Sequence, residues 1–123
     1  MQPDDRDLAF LFDMLRHARG AARAIEGRTR EDYAGDENLR LAVERRLEII
    51  GEAAGRISDE FKASRPEIPW RKIVAQRNVL AHGYAEIEDD IIWQVVTVSV
   101  PELLDLLERL VPDDAGSEEG PPG

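Results

Sequence analysis

The residue types suited to acid–base chemistry on a phosphate stand together in one stretch, RNVLAHGY, at positions 77–84. It contains Arg77, then His82 five residues later, and Tyr84 two residues after that. Histidine exchanges protons near neutral pH, and the planar guanidinium of arginine fits phosphate oxygens. Cleavage of an RNA phosphodiester requires a base for the 2′-hydroxyl, a cation for the phosphorane and an acid for the leaving oxygen. The stretch therefore holds the side chains for such a reaction without a metal.

Helix geometry opposes a simple pairing of the arginine and the histidine. Successive residues of an α-helix turn by ~100°, so Arg77 and His82 point ~140° apart on one helix. Either the helix ends by His82, which Gly83 favours as a C-terminal stop, or the site forms between two copies of the chain. In a structural alternative, His82 caps the helix C-terminus and Arg77 pairs with a carboxylate. Spacing alone favours that structural alternative.

Other side chains are candidates for supporting this stretch. Arg71 and Lys72 lie earlier on the same predicted helix and add positive charge for binding a substrate phosphate. Glu52, in IGEAAG, could orient the motif arginine through a charge-assisted hydrogen bond, or could be an ordinary solvated carboxylate. Asn78 is a further supporting candidate. The second histidine, His17, has no histidine near it in the sequence, and we interpret it as a surface or boundary residue.

Charge is distributed unevenly along the chain. The formal net charge is −10, which by itself argues against a nucleic-acid partner. Residues 40–77 nevertheless carry 9 basic and 6 acidic side chains, whereas residues 78–123 carry 1 basic and 11 acidic. A local field decides whether a polyanion can dock. The basic region before His82 therefore keeps RNA binding open, with a solvated face of ion pairs as an equal alternative.

Composition bounds the compartment and the kinds of site. The chain contains 0 cysteines, which excludes disulfides and cysteine-based metal sites and fits a reducing cytoplasm. The N-terminus, MQPDDRDLAF, lacks the apolar region of a secretory signal. The longest apolar stretch, IIWQVVTVSV, is too short to span a bilayer. We expect a cytoplasmic protein without a membrane segment.

Apolar side chains recur at helical spacing along most of the chain, which predicts an all-α fold. Helices are predicted over residues 4–27, 38–57, 58–63, 70–82 and 88–111. The first is expected to present the stripe Leu8, Leu11, Phe12, Leu15, Ala22 and Ile25. Thr29 and Asp32 resemble a capping box for one short turn before the second helix. The 123 residues suit one domain, an up-and-down bundle of four to five helices over 1–111, followed by a disordered acidic Gly/Pro tail over 112–123.

The last predicted helix is the most ambiguous element. Its β-branched residues suit a strand, but Ile92, Val96 and Val100 continue a helical period with the leucines that follow. Pro101 is expected to kink it. Its apolar residues cover a wider arc than one core stripe needs: Ile91, Ile92, Val95, Val96, Val98, Val100, Leu103, Leu104, Leu106 and Leu107. We therefore expect a second chain to bury the excess in a two-fold dimer.

The motif and its surroundings resemble the HEPN-domain family. Arg77, His82 and Tyr84 match the Arg-x4-His-x-Tyr signature, and the specific resemblance is to the HepT-like toxins of HEPN/minimal-nucleotidyltransferase toxin–antitoxin systems. Three surrounding stretches carry the same likeness: LEIIGEAAGRIS, RPEIPWRKIVAQRNVLAHGY and DDIIWQVVTVSVPELLDLL. The resemblance covers residues 5–111 and leaves only the tail outside it.

The resemblance implies a function for each motif residue. It implies a helical dimer with the motif in a cleft between protomers, which removes the geometric objection to pairing Arg77 with His82. It also implies a metal-independent, cofactor-free endoribonuclease of the prokaryotic cytoplasm, the toxin of a type VII-like system, with those two residues as its catalytic pair. Tyr84 would receive AMP from the cognate nucleotidyltransferase antitoxin.

Two other functions stay open at this stage. The acidic balance suits a catalytically silent helical dimer that only binds a nucleotidyltransferase. A plain structural bundle would use Arg77 and His82 for packing and capping, with the ring of Tyr84 packed at the bundle edge. Loss of function without loss of stability in variants of the motif would exclude the structural account.

Overall fold

Helices form all the regular structure in the part of the chain that the computed structural model describes, residues 2–81 and 89–111. The helices, in chain order, are α1 Asp5–Ala24, α2 Arg30–Ala34, α3 Glu37–Arg56, α4 Asp59–Ser64, α5 Trp70–Ala81, α6 Asp89–Gln94 and α7 Val100–Leu110, with a π-helical turn, Val95–Ser99, between the last two. The all-α prediction is confirmed. The tail over 112–123 lies outside the described residues.

The helix starts follow from short polar side chains. The side chain of Asp4 accepts a hydrogen bond from the backbone of Asp7 and starts α1. At α2 the capping box is complete, because Thr29 Oγ1 accepts from Asp32 N at 3.1 Å and Asp32 Oδ2 accepts from Thr29 N at 2.9 Å. Gly27, at φ 75°, takes the left-handed conformation that terminates the α1 segment. These local predictions are confirmed.

Helix α3 is central to the bundle. It packs against α1 and against α5, and α7 packs against α1. The buried apolar residues of these interfaces include Leu11, Met14, Leu15, Ala18 and Ala21 of α1, Val43, Leu47, Ile50 and Ala54 of α3, and Leu103 and Leu107 of α7. Four long helical segments thus enclose one core, and the short helices α2 and α4 connect them.

The buried side of α1 differs in phase from the predicted stripe. Leu11 and Leu15 are buried as expected. Four other residues of the predicted stripe are only partly buried: Leu8, Phe12, Ala22 and Ile25. Ala18 and Ala21 are fully buried instead. Small side chains let two helices approach closely, and a pattern weighted towards large apolar residues does not detect them.

One buried carboxylate joins two helix starts. Asp7, 3% exposed in the first turn of α1, accepts hydrogen bonds from Ser58 N at 2.9 Å and from Ser58 Oγ at 2.6 Å. Ser58 Oγ in turn accepts from Phe61 N at 3.2 Å and caps α4. The N-terminal ends of α1 and α4 are thereby held together.

The final helical segment continues through its proline. Residues Val95–Ser99 form a π-helical turn directly before α7, where Pro101 lies in the first turn. Val100 N donates to the Val95 carbonyl, and Thr97 Oγ1 donates to the Trp93 carbonyl at 2.7 Å. Proline has no N–H for the usual helical bond, and the wider turn accommodates that loss. The helical interpretation of this segment is confirmed, with the π turn on the N-terminal side of the proline where a kink was expected.

No helix within residues 2–81 and 89–111 is long and apolar enough to cross a membrane.

Candidate functional site

The motif arginine lies on α5 where this helix meets α3. The side chain of Arg77 is 33% exposed, and its Nη2 lies 3.7 Å from Glu52 Oε2 on α3. Its Nη1 donates to Asn78 Oδ1 at 3.3 Å. Its Nε is buried, and no described residue accepts a hydrogen bond from it. The guanidinium is therefore held by one carboxylate and one amide, with part of its surface open to solvent.

The predicted neighbour Glu52 is present, at a longer distance than we expected. At 3.7 Å the contact with Arg77 is an ion pair and lies outside hydrogen-bond range. The same carboxylate has Arg56, one turn later on α3, at 4.0 Å. Glu52 thus lies between two guanidinium groups, and its orienting role stays a prediction.

Two further candidate cations are exposed on the same helix. Arg71 and Lys72 lie in the first turn of α5, with Lys72 five residues, or about 7.5 Å along the axis, before Arg77. Neither forms an ion pair with another residue of the described ranges. Their positive charge is available to an external anion, and their substrate-binding role stays a prediction.

The other two motif residues lie outside the described part of the chain. Helix α5 is described as far as Ala81, and α6 begins at Asp89. His82 and Tyr84 fall between them, so their roles, and the proposed end of the helix at Gly83, stay predictions. Arg77 lies four residues before the last described residue of α5.

An open apolar groove runs beside this site. Its volume is about 450 Å³, and it lies between α5, α3 and the segment from Gln94 to α7. Its apolar lining includes Leu47, Ile50, Ile73, Val95, Val98, Leu103 and Leu106. At the surface of the last helical segment, Ile91 is 55% exposed and Val98 is 48% exposed. The wide apolar arc predicted for that segment is thus only partly covered by the chain itself.

The other ionisable groups with perturbed environments lie away from Arg77. His17 is half-buried, with its Nδ1 3.2 Å from Arg46 Nη1, and burial together with that guanidinium lowers its pKa. This fits its interpretation as a boundary residue. Burial raises the pKa of Tyr33, whose ring packs 5.7 Å from that of Trp93. Within the described ranges, no group of three or more histidine, aspartate or glutamate side chains is arranged to hold a metal ion.

Comparison with known proteins identifies the family. The family model described as Ribonuclease HepT-like matches residues 14–110. The chain belongs to the HepT-like ribonuclease family. This membership confirms the resemblance inferred from the motif and its flanking stretches.

Curated relatives of this HepT-like chain carry consistent names. A probable ribonuclease HepT of Thermococcus cleftensis is 38% identical over 102 residues, covering 80% of this chain and 93% of the relative. A putative RNase of Methanocaldococcus jannaschii is 35% identical over 95 residues, covering 77% and 87%. A putative RNase of Caldanaerobacter subterraneus is 33% identical over 94 residues, covering 76% and 84%. No solved structure matches the chain at a significant level.

Sequence reasoning overlooked one residue of this HepT-like site. Gly51, directly before Glu52, is buried where α5 crosses α3 and faces the stem of Arg77. The available signal was a glycine inside a long amphipathic helix, a position that glycine normally destabilises.

Proposed function

We propose that this chain is a metal-independent endoribonuclease, with Arg77 and His82 as its catalytic pair. The observation that carries the proposal is the position of Arg77 in a HepT-like chain: partly open to solvent, paired with Glu52 and Asn78, and one turn before the end of described α5. The names of the relatives, ribonuclease HepT and RNase, support the same activity.

The proposed chemistry divides the work between the two residues. One His82 takes the proton of the 2′-hydroxyl while its oxygen attacks phosphorus, and a second His82 protonates the departing 5′-oxygen. Arg77 balances the charge that develops on the phosphorane oxygens. Arg71 and Lys72 would hold neighbouring phosphates of the RNA. This division requires two copies of the motif to face one substrate.

A homodimer supplies the second copy, and a second chain is the occupant we assign to the apolar groove. The exposed side chains of Ile91 and Val98 adjoin a groove whose floor includes Leu47 and Ile50. Apolar residues exposed together on one helical segment mark protein interfaces more often than isolated ones do. A two-fold contact along this groove would bring the two α5 helices, and with them both copies of Arg77, towards one another.

The toxin assignment adds regulation to this activity. In this proposal a cognate minimal nucleotidyltransferase transfers AMP to Tyr84, two residues from His82. The added nucleotide blocks the RNA path, and its phosphate occupies Arg77 with the wrong anion. The second tyrosine of the chain, Tyr33, is fully buried and so is shielded from such a transfer.

The decisive test measures cleavage of a fluorescent RNA by purified protein in excess EDTA. Wild type should cleave, and His82→Ala and Arg77→Ala should each lose ~10²-fold or more in rate. Arg109→Ala is the matched control, because this exposed arginine of α7 pairs only with Asp105 on its own helix. Equal trace activity in wild type and His82→Ala would identify a contaminant and refute the proposal.

A catalytically silent binding partner of a nucleotidyltransferase is the second candidate, favoured by the net charge of −10. The two candidates differ in their salt dependence. RNA affinity that falls steeply with added salt indicates released counterions and supports the nuclease. A stable complex with the nucleotidyltransferase, together with no RNA binding at low salt, supports the silent partner.

A further inference from the structure

The two helices that form the Arg77 site touch at a glycine. A Cβ atom placed on Gly51 of α3 would lie 2.1 Å from Arg77 Cβ, 2.9 Å from Arg77 Cγ and 3.0 Å from the carbonyl oxygen of Ile73. Carbon atoms in contact need ~3.5–4.0 Å. The first atoms of the arginine side chain therefore occupy the space that any other residue at position 51 would fill.

The contact at Gly51 differs from those at two other helical glycines. At Gly55, one turn later on α3, an added Cβ would meet Val74 Cγ2 at 3.8 Å, an ordinary contact distance. At Gly20 on α1 the added atom would meet the guanidinium of Arg46 at 2.1 Å, the far end of a flexible side chain that can move aside. At Gly51 the neighbours are the root of a side chain and a backbone carbonyl, which move only if α5 moves.

We propose that Gly51 is a positioning residue for the reaction: it sets how deeply Arg77 sits against α3 and where its guanidinium points. This inference rests on the nuclease function proposed above. Depth at this point fixes two further features, the 3.7 Å separation from Glu52 and the burial of Nε. The neighbouring residues of α3 thus divide the task, Gly51 receiving the stem and Glu52 facing the charged end.

A single methyl group at position 51 should disturb the catalytic arginine specifically. Restoring contact distance from 2.1 Å requires α5 to shift by about 1.5 Å at Arg77. Misplacement of a catalytic group by ~1 Å can lower a rate by ~10²-fold. Gly51→Ala should therefore lose ~10²-fold in kcat with little change in KM, since binding of the RNA elsewhere is retained.

Matched alanine substitutions test this prediction. Gly55→Ala and Gly20→Ala add the same methyl group and the same helix propensity, and both should keep wild-type kcat. In an Arg77→Ala background, Gly51→Ala should cause no further loss, because the group it displaces is already absent. Wild-type kcat in Gly51→Ala, or losses of Gly51→Ala and Arg77→Ala that multiply, would overturn the proposal.

A spectroscopic measurement separates this inference from the nuclease proposal. The Nε–H of Arg77 should exchange with water more slowly than that of the exposed Arg71 in wild-type protein, measured from ¹⁵N-edited arginine side-chain resonances. In Gly51→Ala that protection should disappear, whereas Gly55→Ala should keep it. If Gly51→Ala does not fold, the wild-type comparison still decides, because equal exchange at the two arginines would show that Gly51 does not hold Arg77. A protein that cleaves no RNA yet shows this pattern refutes the nuclease function alone.

Discussion

Replacing Glu52 by glutamine tests how strongly the motif arginine depends on its carboxylate partner. The Glu52 and Arg77 side chains are 45% and 33% exposed, and their charged atoms are 3.7 Å apart. Ion pairs at this exposure contribute ~0.2–1 kcal/mol. Because 1.36 kcal/mol corresponds to tenfold in rate, loss of the pair should lower kcat by about 1.4- to 5-fold. We expect Glu52→Gln to show this small loss and an unchanged melting temperature.

Single-turnover cleavage of a fluorescent RNA in EDTA gives the rate needed for this comparison. Glu48→Gln is the matched control, since Glu48 lies one turn earlier on α3 and pairs with Arg45. It should cleave at the wild-type rate. Full activity of Glu52→Gln would refute the orienting role. A loss above ~10²-fold would instead assign the carboxylate to proton transfer and refute the reasoning from ion-pair strength.

Three further predictions follow from the groove, a raised pKa and the second motif tyrosine. Val98→Glu should convert the dimer to a monomer and abolish cleavage, whereas Leu41→Glu, at an equally exposed apolar residue on α3, should leave a dimer; light scattering of an unchanged Val98→Glu dimer would exclude the groove as the interface. Burial, reinforced by Asp89, raises the pKa of Glu44, so the folded chain binds that proton more tightly than the unfolded chain and loses stability as the pH rises above the ordinary value of 4.5. Glu44→Gln should therefore raise Tm at neutral pH, with a gain that shrinks as the pH is lowered; a pH-independent gain would indicate packing instead. Co-expression with the cognate nucleotidyltransferase should add AMP to Tyr84, and Tyr84→Phe should escape both modification and neutralisation; AMP mapped to Tyr33 would contradict the assignment.

The features predicted correctly from the sequence depend on residues close together in the chain. Thr29 and Asp32 are three residues apart, and Gly27 ends α1 through its own backbone conformation. Amphipathic stripes repeat within one helix, so the helices and the all-α class followed from spacing. The contact of Arg77 with Glu52 was anticipated only as a candidate, because 25 residues and a helix connection separate the two.

The features missed by the sequence depend on how separate helices meet. The Asp7–Ser58 link spans 51 residues, and no local pattern distinguishes Asp7 from the other acids at the start of α1. The notch at Gly51 exists only because α5 crosses α3 there. A glycine inside a helix signals some close contact, but its partner is known only from the packing.

The π-helical turn at Val95–Ser99 acts on the last helical segment as a reading frame acts on a message. A π turn holds more residues than an α turn, so it sets the rotation of α6 relative to α7. Removing one residue there would rotate the two helices by ~100° relative to each other. Trp93 would turn away from Tyr33 while α7 kept its contacts with α1. A one-residue deletion in this turn would therefore change which face the helix presents while every remaining side chain stayed the same.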